Sequence, residues 1–86
     1  MTKKQMKNKI DSEINKAIIC VTNCLKAKGY LLDESKWDKK CKEIRDYIHY
    51  LSDGDLSVAY VFIEGYSSTM QDDDFLTENG LLVKTA

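Results

Sequence analysis

The chain has 86 residues, 43% of them apolar and 31% charged, with 13 Lys and Arg against 14 Asp and Glu and a net charge of −1. This composition excludes a disordered tail, a collagen-like chain and a low-complexity segment. The longest unbroken apolar run, Val58 to Ile63, falls far short of the roughly 20 residues that a membrane span needs.

No apolar stretch with a small-residue cleavage site follows the charged N-terminus, so no signal peptide is expected. Three cysteines, an odd number at no secreted-framework spacing, suit a reducing cytoplasm better than a disulfide scaffold. The charge is unevenly placed. Residues 1–45 hold twelve basic and six acidic side chains, whereas residues 46–86 hold eight acidic ones and a single lysine, Lys84. Such asymmetry points to a nucleic-acid or protein partner, unless the two halves fold together and neutralise each other. Twelve lysines against one arginine, with plentiful Ile and Tyr, suit an AT-rich bacterial genome, a phage or a mobile element.

The first element is a helix over about 4–28. Ile10, Ile14, Ala17, Val21 and Cys24 recur at helical spacing, Ile18 and Leu25 widen the stripe, and Gly29 closes the helix. Ile19 points away from that seam, so helix 1 is expected either at the centre of the fold or in a homodimer contact. The second helix, over 34–52, opens on Asp33 as N-cap, with Leu32 and Trp37 at the positions of a hydrophobic staple. Trp37, Cys41, Ile44, Ile48 and Leu51 form its seam. The linker of residues 29–33 is short enough to make the two helices an antiparallel hairpin.

The third segment, about 56–70, reads as a helix through Leu56, Ala59, Ile63, Tyr66 and Met70, capped by Asp53 or Asp55. The competing reading is an α+β fold, in which the β-forming residues 58–63 pair with 81–85 in a small hairpin. Gly65 speaks against a helix interior, where it costs about 1 kcal/mol relative to Ala. The tail reads as a short helical turn, capped by Asp72 and closed at Gly80, with Leu81, Leu82 and Val83 tucking back on the core. The fold class is therefore mainly α: a helical hairpin, a third helix and a C-terminal turn, in one small domain over 1–86.

Little in this chain points to chemistry. Cys20, Cys24, Cys41 and His49 lack zinc-knuckle spacing, and His49, the one histidine, is expected to face outward, so no metal site or nucleophile–base pair is read. No phosphate-cradling glycine loop or cofactor motif occurs, and no cofactor or enzymatic activity is expected. The better reading is a cytoplasmic protein-binding module that modulates or inhibits a partner with a basic surface. Its contact set would be Asp55, Tyr60, Glu64, Tyr66, Asp72, Asp73, Asp74 and Glu78, carboxylates at phosphate-like spacing interleaved with tyrosines. Of the Asp72–Asp74 run only Asp72 has an obvious internal task, which leaves Asp73 and Asp74 for the partner.

The alternative is nucleic-acid binding through Lys4, Lys7, Lys16, Lys36, Lys39 and Lys40 on helices 1 and 2. Against it, the third helix offers Asp55 and Glu64 where a recognition helix needs donors. In its size, helical content and lysine-rich first helix the chain is loosely similar to bacteriocin immunity proteins and to phage-encoded proteins that modulate a host. That resemblance implies a small immunity-type protein as a further alternative.

Overall fold

The fold was obtained as a computed structural model, which describes residues 2–83. These residues form four helices in chain order: α1 (Lys3–Ala27), α2 (Glu34–Ser52), α3 (Leu56–Thr69) and α4 (Asp73–Glu78). Each start is capped by a side chain that local sequence supplies. Thr2 and Gln5 form a reciprocal capping box at α1, with bonds of 2.9 and 3.1 Å between each side chain and the other's backbone N–H. Asp33, Asp55 and Asp72 cap α2, α3 and α4 by accepting backbone N–H bonds. α1 and α4 end alike. The N–H of Tyr30 bonds the Leu25 carbonyl and that of Leu81 bonds the Leu76 carbonyl, around Gly29 and Gly80 at φ +92° and +63°.

α1 and α2 are antiparallel, and three side-chain bonds set their register. Trp37 Nε1 donates to Thr22 Oγ1 at 3.0 Å, Arg45 bonds Asn15, and His49 Nε2 lies 2.5 Å from Asp11 Oδ1. Each step along α2 is met by a matching step back along α1. His49 therefore faces α1 and is half-buried, contrary to the outward placement expected from its angle to the seam. The flank judged free on an isolated helix is the one α1 covers.

α3 lies against both α1 and α2, more extensively than these two lie against each other. This contact decides between helix and strand. Residues 58–63 belong to α3, so the α+β alternative is overturned. Coiled from the Asp55 cap, the segment sets Ala59, Ile63 and Met70 on one side, all buried. A strand would have set Val61 on the same face as Ala59 and Ile63, whereas Val61 is exposed. The C-terminal segment does pair, but with the hairpin linker: Leu32 and Leu82 form an antiparallel bridge, through bonds of 2.8 Å from Asp33 N–H to the Leu81 carbonyl and from Val83 N–H to the Leu31 carbonyl. Positions 84 and 85 of the strand expected from sequence lie outside the described residues.

One apolar cluster takes in side chains from all four helices, including Ile10, Ile14, Trp37, Ile48, Ile63, Leu76 and Leu81. Two seam positions differ from expectation. Leu25 is buried and Cys24 exposed, and Ser52 is buried while Leu51 is half-buried. A seam of period 3.5 drifts round a straight helix of 3.6 residues per turn, so by the last turns the covered position has moved one residue on. Ile19 stays 60% exposed on α1. Among the described residues no buried side-chain nitrogen or oxygen lacks a hydrogen-bond partner.

Candidate functional site

An open groove runs between α2 and α3. Ile44 and Ile48 carry the buried seam of α2, and the column beside it, Tyr47 and Leu51, stands at the edge of the core. α3 meets it with Val61, Phe62, Gly65, Tyr66 and Thr69, enclosing an open volume of about 540 Å³. Tyr47 packs edge-on against Tyr66, with centroids 6.3 Å apart and an interplanar angle of 83°, and stacks on Tyr50 at 6.4 Å and 23°. Tyr50, Val61 and Tyr47 remain 79%, 67% and 49% exposed. A smaller recess lined by Lys40, Glu43, Ile44 and Phe75 shares Tyr47 and Tyr66 and carries the groove toward α4. Burial, with Tyr47 close by, raises the Tyr66 phenol above its ordinary pKa, so Tyr66 presents a neutral hydroxyl.

The electrostatic setting is one-sided. Residues 46–83 contain eight carboxylates and no Lys or Arg. Among the described residues the ion pairs are Lys16–Glu13 at 3.4 Å and Lys40–Glu43 at 3.1 Å, and the His49 ring lies 2.5 Å from the Asp11 carboxylate. None joins a lysine or arginine to a carboxylate of the acidic half. The basic and acidic halves fold together without neutralising each other through ion pairs.

The residues expected to contact a partner are distributed round the molecule. Tyr66 lines the groove, whereas Tyr60, six residues earlier and about 120° round α3, faces a different flank, and Glu64 stands between it and Val61. Asp55 is engaged as the α3 N-cap, accepting from Ser57 and Val58 N–H at 2.9 and 3.3 Å. Asp72 caps α4 by accepting from Asp74 N–H at 2.9 Å. Asp73 is not free for a partner in the way its sequence setting suggested: it accepts the phenolic proton of Tyr30. Asp74 and Glu78 are exposed at the start and end of α4.

The six lysines of the basic alternative do not form one patch. Lys4 and Lys7 stand at the start of α1, and Lys16 pairs with Glu13. Lys36, Lys39 and Lys40 gather beside Asn79 and Leu81 at the other end of the hairpin. Trp37 lies opposite Thr22, so about 27 Å of helix separates the two groups along α1.

The cysteines do not converge. Cys20 and Cys24 are exposed on α1, while Cys41 is buried on α2, where desolvation and then the Asp38 charge raise its thiol pKa to about 11. The described residues hold no grouping of three or more His, Cys, Asp or Glu fit to surround a metal ion, and no helix among them is long and apolar enough to cross a membrane.

Sequence reasoning missed Tyr47, Tyr50, Val61 and Phe75 as surface elements. Three signals were nonetheless present: large side chains just off the α2 seam, a valine opposite the α3 seam, and a glycine in the middle of a helix. Comparison of the chain with protein-family models, curated proteins and solved structures finds no match.

Proposed function

We propose that this protein is a non-catalytic binding module that modulates a partner protein carrying a basic surface, and that the partner docks over the α2–α3 groove. The observation that carries the reading is the coincidence of exposed aromatic area with uncompensated negative charge. Tyr47, Tyr50 and Val61 are solvent-exposed within a stretch of chain that has eight carboxylates and no Lys or Arg. Tyrosine supplies broad contact area at small entropic cost, and the negative charge of residues 46–83 as a whole favours the approach of a basic partner.

The test is site-specific photocrosslinking in the host cell. A photoreactive phenylalanine at Tyr50 or Val61 is expected to trap one protein species, and the same probe at Ser12, exposed on α1, is not. Tyr47→Ala should weaken the groove adducts severalfold. Equal trapping from all three positions, or none from the groove, overturns the reading.

The nucleic-acid alternative has one observation in its favour, the gathering of Lys36, Lys39 and Lys40 at one end of the molecule. Binding through that cluster would weaken with salt at a log–log slope near −0.9 per phosphate contacted. A gel-shift series at rising salt, with a Lys36→Ala and Lys39→Ala double variant, separates it from the protein-binding reading.

A further inference from the structure

We infer that the occupant of the α2–α3 groove is an amphipathic helix flanked by Lys or Arg, and that its backbone comes closest at Gly65. This rests on the protein-binding reading above and names the chemistry of the partner at that same site.

The shape of the groove selects a helix. One wall is the i,i+4 pair Tyr47 and Leu51 on α2, and the other is the column Val61, Gly65 and Thr69 on α3. Columns with this spacing form ridges that interleave with the ridges of another helix. An extended peptide has no comparable foothold, because strand addition needs an exposed sheet edge with unpaired N–H and C=O groups. Along this face the backbone of α2 and α3 is engaged in helical bonds.

Gly65 marks the crossing point. It stands in the interior of α3 without the positive φ that Gly29, Gly54 and Gly80 adopt. A Cβ built on it meets no atom within 4 Å. Neither backbone conformation nor internal packing calls for glycine here, and alanine would serve the helix better. What glycine provides is a notch in an exposed ridge, next to Val61, where an incoming backbone can approach closely.

Charge selects the flanks. Asp46, beside Tyr50, and Glu64, beside Val61, are exposed on the outer sides of the two walls, while Lys40 in the groove's continuation is paired with Glu43 at 3.1 Å. A second copy presenting the same face would set carboxylate against carboxylate, whereas Lys or Arg beside an apolar stripe would meet them with opposite charge.

The test is a titration of the nitrogen-15-labelled full chain with two 18-residue model helices that share one Leu and Ala stripe and differ in Lys or Glu flanks. The Lys peptide is expected to shift the amides of Tyr47, Leu51, Val61, Gly65 and Thr69, and the Glu peptide to leave them in place. Gly65→Ala should melt at higher temperature than the wild type yet bind the Lys peptide at least threefold more weakly, and Gly65→Leu at least tenfold. If Tyr47→Ala weakens binding while both Gly65 variants bind like the wild type, the helix crossing is wrong and the groove reading stands. Equal response to the two peptides overturns the basic flanks. Shifts away from the groove that survive Tyr47→Ala overturn both readings. Sedimentation showing a dimer at micromolar concentration that Tyr47→Ala returns to monomer overturns the basic-helix occupant.

Discussion

Tyr30, in the linker between α1 and α2, donates its phenolic proton to the carboxylate of Asp73 in the first turn of α4. The bond spans 43 residues and joins the basic half of the chain to the acidic half at a neutral donor. It works alongside the Leu32–Leu82 bridge, so α4 is fastened to the hairpin linker at both its ends. Asp73 thereby acquires a structural task that its neighbour Asp74 lacks.

The first expectation follows from that difference. Tyr30→Phe and Asp73→Ala should each lower the melting temperature, and the double variant should melt above the level that adding the two losses would give. Asp74→Asn should leave the melting temperature close to the wild-type value. The Asp73 hydrogen bond, with smaller contributions from burial and the Asp73 charge, holds the Tyr30 phenol above its ordinary pKa. The stabilisation is therefore present below about pH 10, the unfolded-state value, and is lost as pH rises through the raised folded-state value. A carbon-13 titration of the Tyr30 ring checks it; an unchanged midpoint in Asp73→Ala would show that the bond does not persist in solution.

The core of the hairpin should respond as packed cores do. Ile48 is 1% exposed, against Ile14 and Ile44 of the same cluster. Truncating it to alanine is expected to cost about 2–5 kcal/mol, while Lys39→Ala on the outer face of α2 should stay within about 0.5 kcal/mol. Urea melts of both variants give the comparison directly, and equal small effects would contradict the observed packing.

The α2–α3 turn offers a sharper contrast between two aspartates. Asp55 accepts two backbone N–H bonds at the start of α3, whereas Asp53 ends α2 in the left-handed region at φ +45°. Asp55→Ala should cost about 0.5–2 kcal/mol through loss of the cap. Asp53→Gly should be neutral or stabilising, because glycine adopts that conformation without the Cβ clash. Reversal of this order in denaturant melts would mean that the cap sits at residue 53.

The three cysteines should separate cleanly under alkylation. Cys20 and Cys24 are exposed and Cys41 is buried, with its thiol raised to about 11 by desolvation and by Asp38. At pH 8 iodoacetamide should label the first two quickly and Cys41 only as the protein unfolds, since the thiolate is the nucleophile. The raised thiol also favours the folded state below the unfolded thiol pKa, a preference lost as pH rises from about 9 toward 11. Cys41→Ala should accordingly show a smaller loss of stability over that interval than the wild type. Mass spectrometry of the labelled peptides and melts at pH 8 and pH 10.5 test the two parts.

Gly65→Ala carries an expectation for the fold alone. With no atom near the new Cβ and an ordinary helical backbone, the substitution should stabilise by about 0.4–1 kcal/mol. A loss of stability in the same melts would reveal an internal role for this glycine.

The sequence by itself determined where α2 and α4 start and where α1 and α4 close. Asp33, Asp72, Gly29 and Gly80 mark their boundaries because a cap or a left-handed closure needs partners only two to five residues away. The same range covers the seams of Ile10, Ile14 and Val21 and of Trp37, Cys41, Ile44 and Ile48. Tertiary structure alone decided everything that depends on which flank another element covers. Residues 58–63 carry β-forming side chains and are helical because the helical period buries Ala59 and Ile63 against α1 and α2 and leaves Val61, which a strand would place on their face, exposed. His49 turns inward to Asp11, and Asp73 finds Tyr30, each through a contact between residues far apart in the chain. The groove belongs to this second group: Tyr47 and Tyr66 are nineteen positions apart, and only the docking of α3 on α2 makes them neighbours.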